Sequence, residues 1–170
     1  MKYGLVRYIK DIVYGANDGV ITTFAVVAGV AGAALSHEVI LVVGLANILA
    51  DGFSMASSDY LGTKSECEAG AGNTFECDNG HLFRASLYTF VSFVIGGVIP
   101  LLPFLIPSMS SSPIMASAIA AGIGLFVVGA ARSHYTKRSF LSSGLEVLII
   151  GGISGTLAYL VGLFIKSLIG

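Results

Sequence analysis

Tyr14-Gly-Ala-Asn-Asp-Gly-Val-Ile-Thr-Thr-Phe-Ala-Val-Val-Ala-Gly29 decides the reading of this chain. It is long and apolar enough to belong to a membrane span, yet it carries a carboxylate at Asp18. An ionised carboxylate in hydrocarbon costs several kcal/mol, so it persists only where it meets a partner, a water-filled cavity or an ion. Function is therefore expected around Asp18.

The rest of the sequence agrees with a lipid setting. Of 170 residues, 55% are hydrophobic and 11% charged, and the mean hydropathy is +0.86. A chain of that composition faces lipid or other apolar helices rather than water. Its net charge of -1 and the lack of a basic run longer than Lys137-Arg138 speak against nucleic-acid binding.

Roughly 20 apolar residues cross a hydrocarbon core of about 30 Å. Five segments qualify, at 12–35, 38–62, 82–106, 114–132 and 143–166. The first begins beside Lys2, Arg7 and Lys10 as a signal peptide would, but its apolar run is too long for one and ends in no cleavage site. Lys2, Arg7, Lys10, Lys64, Arg84, Arg132, Lys137 and Arg138 fall on one side of the expected spans, and Lys166 alone falls on the other. The positive-inside rule then places the N-terminus in the cytoplasm and the C-terminus outside, or in a lumen. The expectation is an all-α integral membrane protein with five transmembrane helices, forming one domain over 1–170 with a short acidic, cysteine-containing cytoplasmic loop at 63–81. Pro100, Pro103, Pro107 and Pro113 gather at the outer end of span 3, where lost backbone hydrogen bonds are tolerated.

Span 2 carries a polar stripe. Asn47, Asp51, Met55 and Asp59 recur every fourth residue, with Ser54 and Ser58 between them. Asn47, Asp51, Ser54 and Ser58 share an arc of about 60° on a helix, with Met55 beside it. Such a stripe points into a membrane protein, toward water, an ion path or a hydrogen-bonding partner. Asp59, near Lys64, is either the last group of this path or a solvated interfacial carboxylate. On span 1, Asp18, Thr22, Ala25, Gly29 and Gly32 make a smooth face that suits close helix approach, expected here at a homodimer interface. At 1.5 Å per residue, Asp18 lies ~12 Å inward of Lys10 and Met55 ~13 Å inward of Lys64, so the two share a depth. Carboxylate and thioether together suit Fe²⁺ or a neighbour such as Mn²⁺ better than Mg²⁺ or Ca²⁺. From spacing alone Met55 reads first as a packing residue and only second as a ligand.

The segments Asp18 to Gly32, Asp51-Gly-Phe-Ser-Met-Ala-Ser-Ser-Asp-Tyr-Leu-Gly-Thr-Lys-Ser65, Ile99-Pro-Leu-Leu-Pro-Phe104 and Leu145-Glu-Val-Leu-Ile-Ile-Gly-Gly152 resemble the vacuolar iron transporter family. The resemblance implies five spans, a homodimer with the ion path between subunits, and export of cytosolic Fe²⁺ or Mn²⁺ in exchange for protons. It matches the family's first-span aspartate to Asp18 and its second-span methionine to Met55. A glutamate that many members carry falls on Asn47, one turn from Asp51. The family's metal-binding domain between spans 2 and 3 is reduced here to a short connection holding Glu66-Cys67-Glu68 and Glu76-Cys77-Asp78, then His81. Two cysteines flanked by acids suit a small metal-capture site, although their spacing matches no standard zinc motif and a solvated acidic loop is the plainer reading. A disulfide is not expected on a reducing face.

Ser143-Gly-Leu-Glu146 reads as a capping box opening span 5, and Gly151 to Gly155 as a packing face. His37, Glu38 and His134 read as solvated. A passive channel or uniporter, a non-transporting assembly subunit, and an intramembrane hydrolase using Asp18 and Asp51 as a dyad are the competing readings; the last lacks the Tyr-Asp and Gly-x-Gly-Asp patterns of such enzymes.

Overall fold

The computed structural model describes residues 7–71, 77–106, 111–136 and 139–169, with the backbone alone over 134–136. Five helices carry the chain: α1 Ile9–Gly32, α2 His37–Glu68, α3 Asn79–Leu105, α4 Pro113–Thr136 and α5 Phe140–Ile169. All five are long and apolar enough to cross a membrane. α1 starts three residues before its expected span. α2 runs six residues past its own, and at about 1.5 Å per residue its 32 residues reach roughly 48 Å, well beyond the hydrocarbon core. Its last turns therefore stand clear of the apolar layer, and Lys64, Glu66, Cys67 and Glu68 are helical rather than part of a loop.

α1 is the central element and packs on each of the other four. One apolar cluster joins Val27, Ile40, Ile48, Leu101 and Phe104. A second joins Val20, Ala121, Leu125 and Val147. Lipid-immersed helices gain little from the hydrophobic effect, so close van der Waals fit must hold them. Glycines supply it along α1 and α3. A Cβ at Gly15 would strike Ser92 and the carbonyl of Thr89, one at Gly19 the carbonyl of Phe93, and one at Gly96 the carbonyl of Ala16. By contrast α1 meets α2, its neighbour in sequence, only sparingly.

The chain turns tightly between helices. After α1, Ala34 takes a left-handed conformation at φ 54°, and the N–H groups of Ala34 and Leu35 donate to the carbonyls of Ala31 and Val30. After α2 the same hydrogen-bonding pattern recurs around Gly70 at φ 73°. Pro113 opens α4, where its missing N–H costs nothing. Pro100 and Pro103 are buried within α3, and Ser117 Oγ ties α4 to that region by donating to the Pro100 carbonyl at 2.7 Å.

One expectation is corrected here. α5 begins at Phe140, so Ser143 is interior and buried and its Oγ has no partner among the described residues; it caps nothing. Glu146 instead faces Arg132 at 3.6 Å. The Gly151 to Gly155 stretch does pack, with Leu125 filling the space over Gly151 and Phe24 that over Gly155.

Candidate functional site

Asp18 sits on α1 between Gly15 and Gly19, the two glycines that press this helix onto the α3 backbone. That contact fixes the rotation of α1 and leaves Asp18 half-buried. Asp51, also half-buried, precedes Gly52, whose missing side chain admits the rings of Phe90 and Phe93. Packing thus sets the rotation of both helices. Thr22 turns its hydroxyl back onto the Asp18 carbonyl at 2.8 Å.

A second set of polar groups stands nearer the N-terminal end of α1. Asp11 is only 6% exposed, more buried than Asp18, and shares the lining of a cavity with Lys10 and His81. Asp59 is not simply solvated: Thr89 Oγ1 on α3 donates to its Oδ2 at 3.1 Å. His81 is buried in the first turn of α3, its ring stacked on Tyr8 at 4.8 Å between centroids and its Nδ1 3.2 Å from the Tyr8 hydroxyl. A polar cavity of about 120 Å³ opens here, lined by Arg7, Lys10, Asp11, Thr63, Glu66 and His81.

Asp11 lies outside the span expected from hydropathy, which begins at residue 12, and so is not among the residues that the sequence singles out. Its signal was available, since positions seven apart share a helix face, here with Asp18. At 1.5 Å per residue Asp11 and Asp18 stand about 10 Å apart along α1, and Asp59 and Asp51 about 12 Å apart along α2, so we read the four carboxylates as two rungs of a ladder. Met55 lies half-buried on α2 between the two rungs. Asn47 is half-buried one turn beyond Asp51, and its Nδ2 has no hydrogen-bond partner among the described residues.

The other expected residues fare differently. Gly29 and Gly32 do not wait for a second copy: a Cβ at Gly32 would strike the Tyr159 carbonyl, and one at Gly162 the Gly29 carbonyl. Both are taken up by α5 of the same chain, leaving Thr22 and Ala25 half-buried on that face. Within 63–81, residues 63–68 and 79–81 are helical rather than loop. Cys67 is bonded to Cys77 as a disulfide, contrary to the expectation of two free thiols. Asp78 caps α3 by accepting from the His81 N–H at 3.1 Å. Glu66, Glu68 and Asp78 are exposed, and Glu76 lies outside the described residues. Among the described residues no three His, Cys, Asp or Glu side chains converge tightly enough to hold a metal ion by themselves.

Comparison with known proteins adds to this geometry. The VIT family profile matches residues 9–74 and 71–163, two pieces that meet in the connection between α2 and α3. Vacuolar iron transporter 1 of Arabidopsis thaliana is 24% identical over 208 aligned positions, covering 89% of this chain and 83% of the relative. The vacuolar iron transporter of Plasmodium berghei is 21% identical, covering 94% of this chain and 83% of the relative. That of Toxoplasma gondii is 48% identical over 59 positions, which cover 35% of this chain and 20% of the relative. The 208 aligned positions outnumber the 170 residues of this chain, so the Arabidopsis relative carries residues with no counterpart here.

Proposed function

The chain belongs to the VIT family and is an integral membrane protein of a metal-transporter type, and on that premise we propose that it exports Fe²⁺ or Mn²⁺ from the cytosol in exchange for protons. The observation that carries this reading is that Asp18 on α1 and Asp51 on α2 both stand half-buried within a membrane-spanning bundle, each next to a glycine packed on the same stretch of α3. Two carboxylates in a poorly hydrated site resist simultaneous ionisation. A divalent cation would satisfy both, and a proton would satisfy either. Cation and proton then compete for one site, which is the requirement for antiport.

We read the orientation from charge. Arg7, Lys10, Lys64, Arg84 and Arg132 stand at one end of the bundle, which the positive-inside rule assigns to the cytoplasm. Cations would approach through the polar cavity beside Asp11 and Glu66, pass Asp59 and Met55, and reach Asp18. Met55 would favour a transition metal over Mg²⁺ or Ca²⁺ through its polarisable sulfur. The membrane is either the cell membrane or a vacuolar one.

We read the working form as a homodimer. One chain offers two carboxylates at the inner rung, fewer ligands than a divalent cation takes, and a second copy closing the open side of α1 and α2 would double them. The α5 contact of Gly29 and Gly32 confines that interface to the Asp18, Thr22 and Ala25 part of α1 and the adjoining stripe of α2.

Purified protein in liposomes with an entrapped pH dye and a metal-sensitive dye tests the function. Fe²⁺ should move down its gradient, faster with the acid side at the outer face, and protons should flow the other way. Metal flux with no proton response would identify a passive channel or uniporter, a reading that the uncharged Asn47 beside the site favours. No metal flux would leave the chain an assembly subunit.

A further inference from the structure

Cys67 and Cys77 are joined with their Cα atoms 5.5 Å apart. Local structure brings them together. Gly70, at φ 73°, ends α2 in a turn where its N–H donates to the Cys67 carbonyl and that of Ala71 to the Glu66 carbonyl, both at 3.0 Å. A left-handed residue at that position is the ordinary glycine stop of a helix, and it reverses the chain. Cys77 directly precedes Asp78, the N-cap of α3. The bond therefore ties the end of one membrane helix to the start of the next, beside the cavity lined by Glu66, Asp11 and His81.

The same end of the bundle carries Arg7, Lys10, Lys64 and Arg84, the side read above as cytoplasmic, and the inference rests on that reading. Thiol pools keep cytoplasmic cysteines reduced, so a permanent disulfide is out of place there, whereas a reversible one is not. Both cysteines are half-buried rather than enclosed, and Glu66, Glu68 and Asp78 next to them are exposed.

We infer that Cys67 and Cys77 form a reversible dithiol–disulfide couple at the cytoplasmic mouth. When reduced, it captures a soft or borderline divalent transition-metal ion; when oxidised, it does not. Reduction proceeds by thiol exchange with a cytosolic monothiol such as glutathione. A first thiolate attacks one sulfur, forming a mixed disulfide and releasing the other cysteine. A second thiolate attacks the mixed disulfide at the small-molecule sulfur, releasing the first cysteine and oxidised glutathione. Two electrons and two protons pass from two monothiols to the protein. The metal then displaces two protons and bonds two thiolates, with water completing its coordination. Two sulfurs already held within bonding distance of each other need little rearrangement to share one ion.

The test uses the full chain in detergent, with Co²⁺ as the probe because its thiolate complexes absorb strongly in the near ultraviolet. Protein treated with reduced glutathione should expose both cysteines to a maleimide mass tag and gain the sulfur-to-cobalt band, and untreated protein should do neither. Cys67→Ser and Cys77→Ser should lose the band, while Asp18→Asn should keep it, which separates this site from the transport path. Glutathione that releases no thiols would mark the bond as a fixed staple and overturn the inference. So would reduced wild type without the band, or Cys77→Ser with the wild-type band. In sealed vesicles, reduced cysteines should react with an impermeant maleimide from the cytoplasmic face only. Reaction solely from the outer face would overturn the orientation and the inference together.

Discussion

Thr89 on α3 donates a 3.1 Å hydrogen bond to Asp59 on α2, and Thr89 is itself fully buried. A helix outside the carboxylate ladder thus holds one of its outer groups in place. The same residue offers its carbonyl to the glycine contact at Gly15, so α3 positions both α1 and α2 from one turn.

Thr89→Val keeps the shape and removes the donor. Its cost should be about 1 kcal/mol, within the range for hydrogen bonds inside membrane proteins. Thermal unfolding in detergent should show a lower Tm, accompanied by slower metal flux. An unchanged Tm would show that the bond contributes nothing.

The glycine seam gives a sharper contrast. Gly19→Val would drive a branched side chain into the Phe93 carbonyl, whereas nothing lies within 4 Å of a Cβ at Gly62. Overpacking of the first kind costs roughly 1–3 kcal/mol or more. Gly62→Ala should instead stabilise α2 by about 0.5–1 kcal/mol through helix propensity. Opposite shifts in Tm are expected for the two variants.

Ala34 occupies the left-handed position that ends α1. An L-residue there loses roughly 1–2 kcal/mol to the contact between Cβ and the backbone. Ala34→Gly should therefore raise Tm and leave flux unchanged, because the turn is remote from the ladder. A lower Tm would contradict the turn geometry.

Asp11→Asn preserves size and removes the charge of the most buried carboxylate on the ladder. If Asp11 belongs to the path, flux should fall several-fold while Tm holds or rises, since burying an amide costs less than burying a charge. Wild-type flux would confine Asp11 to a structural role.

Much of the fold was legible in the sequence because bilayer thickness imposes it: five long apolar runs became five helices. The ends were less legible, since hydropathy stops at the apolar layer while the helices do not. α2 continues through Lys64 to Glu68, and α1 begins early enough to include Asp11. The inner rung was readable because an aspartate within an apolar run is too costly to keep without a partner, water or an ion. The outer rung depended on Thr89 and His81, which reach it from α3 and carry no mark of that in their own neighbourhood. The small-residue face of α1 was readable as a packing surface, yet periodicity does not say which helix packs there, and for Gly29 and Gly32 it is α5. The disulfide was not legible, because a reducing compartment disfavours it in general, whereas the Gly70 turn that brings the two sulfurs together is a local feature of the folded chain.

The most direct test of the central site is Fe²⁺ flux through Asp18→Asn in proteoliposomes, measured beside wild type at equal protein and with matching Tm. Asparagine keeps the shape and withdraws the charge that a divalent cation and a proton are held to share. Flux should fall by about tenfold or more, equivalent to at least ~1.4 kcal/mol, and the proton counterflow should vanish with it. Transport of Fe²⁺ at the wild-type rate would contradict the assignment of Asp18 as the central site.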